Sequence, residues 1–410
     1  MVLMGATAVA AALLVVRVAV SAQGAPPRSR AIDAVLQRAV AQGSVPGVVA
    51  AAADRNGIIY SGAAGRASSQ PDRPMTVDAI FSIASMTKAV TSVALMQLVD
   101  EKKVGLDDPA SKYLPAFAKV SVITSFDEKT GAYTVKPASR PITIRHLLTH
   151  TSGLGYSFTS PIVRDFKPRN GDAFEVGPLL FEPGADWVYG TSTDWVGRVV
   201  EAVSGKTLDA YFRERIVAPL GMGDTHFNVP DATLPRQAPA WRRQADGTLT
   251  ELPSRPPQRV TNFNGGGGLS STAADYIRFL QMLLNGGQLD GARILSTASV
   301  DQMARNQIGA VNVHAIKSAQ PALSADFSFV NEGKDKWGLG FQITGETAPG
   351  LRSAGSLSWG GINNTYFWLD SSRGIVGVIL MQFLPFADAK ALSLYRDFER
   401  AVYELPRPPA

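Results

Sequence analysis

The sequence predicts an α+β protein: an antiparallel sheet assembled from distant parts of the chain, flanked by helices, with a mainly helical part between. Three observations carry that expectation. Strand-like runs stand near both ends, at Gly47 to Ala53 and Ile58 to Ala64, and again at Gly338 to Ile343, Asn364 to Leu369 and Ile375 to Met381. Helical patterns and loops fill the middle, and no internal repeat divides the 410 residues into copies.

Taken in order, the chain opens on an almost wholly apolar run from Ala6 to Val20, with the small residues Val20-Ser21-Ala22 before Gln23. That is the pattern of a cleavable export signal over residues 1–22, implying a periplasmic or secreted protein. The run lacks a positive leader and contains Arg17, so a cytoplasmic location is the alternative, and no stable membrane span is expected. Residues 23–410 then read as one domain, its α/β part at about 25–100 and 290–410 and its helical part at about 101–289. Ile32, Val35, Leu36, Ala39 and Val40 share one helical face, and Gly43 ends that helix. Asp54-Arg55-Asn56-Gly57 is a turn between the first two strands. A hairpin is expected from Val120 to Phe126 and Ala132 to Lys136, a helix from near Ser271, and a closing helix from about Ala387 to Tyr403. The Pro-rich stretch Pro230 to Pro257 reads as an ordered surface excursion.

Composition narrows the function classes. With 45% hydrophobic and 18% charged residues the chain can bury a large core. Its net charge of +5 is scattered, so nucleic acid is not indicated. The absence of cysteine excludes disulfides, thiol catalysis and cysteine-ligated zinc.

Ser85-Met86-Thr87-Lys88 is the most informative stretch. The following helix carries no other charge until Asp100, while Val90, Val93, Leu95, Met96, Leu98 and Val99 make it apolar on nearly every side, so Lys88 is expected to be buried. A spacing of three puts Ser85 and Lys88 on one face, and burial is expected to disfavour the ammonium and free the lysine for proton transfer. The bland alternative is a serine cap followed by a lysine that snorkels to solvent.

Motifs downstream decide against it. Ile144-Arg145-His146-Leu147-Leu148-Thr149-His150-Thr151-Ser152-Gly153-Leu154, then Pro183-Gly184 with Trp187 and Tyr189, Pro219 to Met222, Gly265 to Leu269 and Trp359-Gly360-Gly361 follow Ser85-Met86-Thr87-Lys88 in order. Together they resemble the serine β-lactamase and penicillin-binding superfamily, its class C-like branch, and most of all the family VIII carboxylesterases. The resemblance implies a β-lactamase/transpeptidase-like fold with Ser85 as nucleophile, Lys88 holding and moving its proton, and Tyr189 as general base. A free phenol titrates near about 10, so Tyr189 would need the cationic Lys88 beside it to act near neutrality. The resemblance further implies an oxyanion hole from the backbone N–H groups of Ser85 and Ile362, and substrate contacts from Trp359, Gly360, Gly361 and Thr191, the glycines letting an acyl group approach the strand. It implies neither cofactor nor metal.

Two departures bear on substrate. Trp359 stands where β-lactamases usually carry a lysine, and Thr191 where class C enzymes usually carry asparagine, and both favour neutral esters. The expected activity is therefore a serine carboxylesterase for short-chain esters, with room for weak β-lactam hydrolysis. Alternatives are a class C-like β-lactamase or D,D-peptidase, an acyltransferase, and a non-catalytic ligand-binding protein; oligomeric state is open. His146 and His150 lie four apart, but Leu147 occupies the place of a metalloprotease glutamate. Gly265 to Gly268 lacks the Lys-Ser/Thr of a phosphate loop, and Gly190 to Asp194 narrowly misses a nucleophile elbow.

Overall fold

The computed structural model describes residues 29–253, 258–328 and 333–406. The expected export signal lies outside them. Five longer helices, α1 (Arg30–Ala41), α2 (Thr87–Asp100), α3 (Ser192–Ser204), α4 (Ala273–Leu284) and α5 (Ala389–Tyr403), frame the strands. Those strands are β1 (Gly47–Asp54), β2 (Ile58–Ser69), β3 (Asp72–Pro74), β4 (Trp241–Arg243), β5 (Leu249–Glu251), β6 (Lys336–Trp337), β7 (Gln342–Ile343), β8 (Leu357–Gly361), β9 (Thr365–Asp370), β10 (Ile375–Leu380) and β11 (Phe383–Leu384).

Eight of them form the main sheet in the order β6-β7-β8-β9-β10-β1-β2-β3, so the two ends of the chain meet at the β10–β1 pairing, from Val49 opposite Leu380 to Asp54 opposite Ile375. β1 can occupy the centre because Val48 to Ala53 are apolar and small and are buried on both faces. The side-chain alternation of β9 shows how the faces are covered. Trp368 packs on Tyr395, Phe398 and Tyr403 of α5, while the neighbouring Phe367 points the other way onto Tyr276 of α4. Helix α1 joins α5 on the first face.

The second face carries α4, which packs on β1 and β10. Sequence had assigned α4 to the helical part; its apolar face, with Tyr276, Ile277, Phe279 and Leu280 buried, belongs to the sheet instead. Helix α2 is buried from Thr87 to Leu98 on every side, and it packs against α3 of the helical part. The expected strand from Gly338 to Ile343 is interrupted. Gly340 has φ 94°, its N–H donates to the Leu148 carbonyl, and a Cβ there would stand 2.2 Å from Ser92 Oγ, so the chain bends across α2 before β7 begins.

The Pro-rich excursion holds a hairpin that periodicity did not reveal. β4 and β5 pair with each other, and β4 joins β11 in parallel, with the Trp241 indole donating to the Ala67 carbonyl. The expected early hairpin is present at Ser121–Phe126 and Tyr133–Pro137. No helix among the described residues is long and apolar enough to cross a membrane.

Candidate active site

Ser85 sits in a short 3₁₀ turn, Ala84–Met86, that leads directly into α2. Ala84 is held at φ 44°, a conformation that a residue with a Cβ adopts only under constraint. The constraints are visible. Ile83 N–H donates to the Leu269 carbonyl, Met86 N–H returns to the Ile83 carbonyl, and Phe81-Ser82 pairs with Ser270-Ser271. The bend leaves Ser85 half-buried, while Met86 and Thr87 turn into the core.

Lys88 is 1% exposed and lies where the sequence places it, one helical turn from Ser85. Its Nζ donates to Ser85 Oγ at 3.2 Å, to the Tyr156 hydroxyl at 3.0 Å and to the Gly266 carbonyl at 2.6 Å. Three N–H groups meet three acceptors, which is the full requirement of an ammonium. Burial alone would push the Lys88 pKa down, but the Tyr156 and Tyr189 phenols and the Asp194 carboxylate outweigh it, and the net shift is upward. The expectation that burial would disfavour the ammonium is therefore corrected: polar neighbours win over desolvation.

Tyr189 is buried beside this group, its ring centroid 4.8 Å from Lys88 Nζ. Gly190 positions it, since a Cβ at that residue would stand 1.9 Å from the Leu154 carbonyl oxygen, so only glycine lets the segment pass the Leu154-Gly155 backbone. The Trp359 indole N–H donates to the Tyr189 hydroxyl at 3.3 Å and its ring lies 4.8 Å from the Tyr189 ring. Thr191 is half-buried at the start of α3, where its carbonyl accepts from Asp194 N–H.

Three contributors escaped the sequence reading. Tyr156 accepts from Lys88, stacks with Phe158 and donates toward Asp194 Oδ2 at 3.4 Å; burial raises its pKa further from neutrality. Asp194 Oδ1 accepts from Gly266 N–H at 2.9 Å, and burial raises its pKa above the ordinary carboxylate value. The Gly266 peptide thus bridges Asp194 and Lys88, and a Cβ there would fall 2.3 Å from Asp194 Oδ1. A signal existed for Asp194, which stands five residues after Tyr189 on the first turn of α3; none existed for a backbone carbonyl.

The β8–β9 hairpin supplies the opposite wall. Gly361 pairs with Thr365 across the turn Ile362-Asn363-Asn364, with Asn364 at φ 59°. Asn363 Nδ2 donates to the Ser82 carbonyl at 3.1 Å and Thr365 Oγ1 to the Ile83 carbonyl at 3.4 Å, so the turn bearing Ile362 is tied to the residues just before Ser85.

The beta-lactamase family model matches residues 32–400. The chain belongs to that family. It is 31% identical to the lovastatin esterase of Penicillium rubens, an alignment covering 91% of this chain and 98% of the relative. It is 30% identical to monacolin J acid methylbutanoyltransferase of Aspergillus terreus, over 91% and 95% of the two chains. Among solved structures, unliganded simvastatin synthase from Aspergillus terreus superposes with a TM-score of 0.74 at 28% identity, covering 91% of this chain and 97% of that one.

Within this beta-lactamase-family site, the Trp359-Gly360-Gly361 strand is closely packed. At Gly360 and Gly361 the protein's own atoms already come close: a Cβ would meet the Tyr366 ring at 2.7 Å in the first case and the Ile83 carbonyl oxygen at 2.2 Å in the second. Trp359 is only 3% exposed, so its surface is spent on Tyr189 and on Trp337, whose ring centroid is 4.6 Å away. His146 and His150 have separate tasks. His146 Nδ1 accepts from Thr143 N–H in a helix cap, while His150 is buried against Tyr189 and Trp337.

Proposed function

We propose that this chain is a serine acyl-transfer enzyme that cleaves a neutral carboxylic ester through an acyl group on Ser85 and passes that group to an alcohol, with water as the competing acceptor. The observation that carries the reading is the Lys88 ammonium donating to Ser85 Oγ while Tyr189 lies against it. Preference for an alcohol over water rests on two supports. The relatives' names include a methylbutanoyltransferase as well as an esterase. The groups that would activate the acceptor, Lys88, Tyr189 and Trp359, are all buried, and an acceptor with an apolar body displaces water from such a site more readily than a second water does.

The steps follow from the contacts. Tyr189 enters the step as phenolate, with the Lys88 cation and the Trp359 N–H facing its oxygen; Ser85 Oγ attacks the ester carbonyl carbon as its proton passes to that oxygen, leaving a neutral phenol. The carbonyl oxygen, now negative, is held by the backbone N–H groups of Ser85 and Ile362; such a donor contributes about 2.7 to 4 kcal/mol. The ester C–O bond breaks, and Tyr189 returns the proton to the departing alkoxide. An acceptor hydroxyl then gives its proton to Tyr189, attacks the acyl carbon, and Ser85 Oγ leaves with the proton. Lys88 stays charged throughout, and Tyr156, Gly266 and Asp194 hold it in place.

The test is a partition measurement. Purified protein is given p-nitrophenyl butyrate with increasing 1-butanol or a larger secondary alcohol, and butyrate and butyryl ester are quantified, with nitrocefin run in parallel. Ester should come to exceed acid at millimolar acceptor, and nitrocefin should be the poorer substrate. Free acid alone at every alcohol concentration would favour the hydrolase reading. A preference for nitrocefin would overturn the neutral-ester assignment.

A further inference from the structure

The β4 strand carries two successive arginines with opposite circumstances. Arg243 is saturated: it is paired with Asp388, and it also donates to the carbonyls of Ser44 and Gly247. Arg242, pointing to the other side of the hairpin, has no acidic partner and no hydrogen bond among the described residues, and its Nε is sealed from solvent without an acceptor. A guanidinium brought this close to the core with nothing to hold is uncommon, because an unpaired buried donor is destabilising.

Arg242 faces a cavity of about 980 Å³. Arg73 stands in the same wall, donating to the main-chain carbonyl of Gln237 and to that of Pro235, and so adds a positive charge that no acid neutralises among the described residues. Arg259, also in the wall, is paired with Asp231. Glu251 is the one acid among the described residues lining the cavity, and it is turned to Ser68 and Ser69 rather than to Arg242. Gln382 lines the cavity too; it is 6% exposed, and its Oε1 has no partner. The remaining surface is mixed: Phe227, Val229, Leu234 and Leu252 give it an apolar side, and Asn228, Gln237 and Gln258 a polar one. Ser85, Lys88 and Tyr189 do not line the cavity.

We propose that this cavity is a binding site for an amphipathic organic carboxylate, with the Nη groups of Arg242 taking the carboxylate and Phe227, Val229, Leu234 and Leu252 lying along the hydrocarbon body. A carboxylate supplies the paired acceptors that guanidinium geometry prefers. The volume suits a small molecule better than a bare ion, since pockets for such ligands span roughly 300–1,000 Å³.

Calorimetric titration of the full chain with octanoate, 1-octanol and inorganic phosphate tests this. Octanoate should bind saturably, at least tenfold tighter than either of the others. Arg242→Gln should weaken octanoate at least tenfold, and Arg242→Lys should restore part of the loss. Equal octanoate affinity in wild type and Arg242→Gln overturns the proposal, as does octanol or phosphate binding as tightly as octanoate. Should Arg242→Gln fail to fold, wild type still decides. Phenylglyoxal should label Arg242 in a peptide map, and octanoate, but not octanol, should protect it; labelling unchanged by octanoate contradicts the site.

Discussion

Among the described residues two cationic side chains are almost wholly buried, Arg352 and Lys88, and they are held in opposite ways. Arg352 and Glu399 are 1% and 0% exposed, and the guanidinium meets the carboxylate through Nε at 2.9 Å and Nη2 at 2.6 Å, with the Arg352 backbone N–H adding a third bond at 2.7 Å. Lys88, equally buried, touches no carboxylate; its direct partners are a serine, a phenol and a carbonyl, and Asp194 stands one hydrogen bond further out behind Tyr156 and Gly266. The difference teaches what each charge is for. An opposite charge in direct contact locks Arg352 and ties the loop before β8 to α5. Neutral oxygens leave the Lys88 field available to whichever neighbour becomes negative during a reaction, Ser85 or Tyr189.

Exchanging the roles of the two cations should show this most strongly. Lys88→Ala should lower kcat for an ester at least about a thousandfold while costing about 1–3 kcal/mol of unfolding free energy, because it leaves the Gly266 carbonyl unpaired while Asp194 keeps its own bonds to Gly266 and Tyr156. Arg352→Met should do the reverse. It strands a buried carboxylate and should cost about 3–5 kcal/mol, with turnover per folded molecule nearly unchanged. Denaturant unfolding alongside single-substrate kinetics reads both quantities, and an activity loss in Arg352→Met matching that in Lys88→Ala would break the comparison.

The phenols sharpen it. Tyr189→Phe should reduce kcat by about 10²–10⁴-fold, as expected for loss of a general base. Tyr156→Phe should cost less, since Lys88 retains Ser85 and Gly266 as acceptors. Combining Lys88→Ala with Tyr189→Phe should be far less than multiplicative, because the two act as a unit. Kinetics showing Tyr156→Phe to be the more severe would move the base from one phenol to the other.

A smaller effect is expected at Trp359. Trp359→Phe keeps a ring against Tyr189 but removes the indole N–H, and a hydrogen bond of about 0.5–1.5 kcal/mol corresponds to roughly a two- to thirteenfold drop in kcat. KM should hardly move if the tryptophan acts through Tyr189. A change in KM alone would return it to the substrate wall.

The mildest prediction concerns stability against pH. Burial, helped by Arg140 and Arg145, lowers His146 to about 4 from an ordinary 6.5. Its contribution is fully present above 6.5, where folded and unfolded imidazoles are both neutral. It is lost as pH falls from 6.5 through 4, because the unfolded chain takes up the proton first. The loss should be about 2 kcal/mol once partial exposure is allowed for. His146→Gln should flatten that part of a denaturation-versus-pH curve, and an unchanged curve would place the acid sensitivity elsewhere, with the buried His150 the next group to examine.

Much of this was legible because it is local. Ser85 and Lys88 are one helical turn apart, so spacing and apolar surroundings announced both position and burial. The ends of the sheet were legible for the same reason, from β1 and β10, whose runs of small or branched residues suit strands covered on both faces. What stayed hidden depends on distant meetings. Tyr156 reaches Lys88 from 68 residues away, and the Gly266 carbonyl from 178. The sign of the Lys88 shift was misread for that reason: burial can be inferred from neighbours in sequence, whereas the oxygens that offset it arrive through the fold. The crowding at Gly361 was hidden for the same reason, because the Ile83 carbonyl that meets it belongs to the segment just before Ser85, far away in the chain.

The claim on which the rest depends is that the acyl group travels on Ser85. Intact-mass spectrometry of Tyr189→Phe protein mixed with p-nitrophenyl butyrate, followed by peptide mapping, addresses it directly, since slowed turnover should let the intermediate accumulate. The account predicts one added butyryl group, located on the peptide bearing Ser85 and absent from the Ser85→Ala, Tyr189→Phe double variant. A butyryl group on another residue that persists in the double variant, or undiminished ester turnover by Ser85→Ala protein, would contradict it.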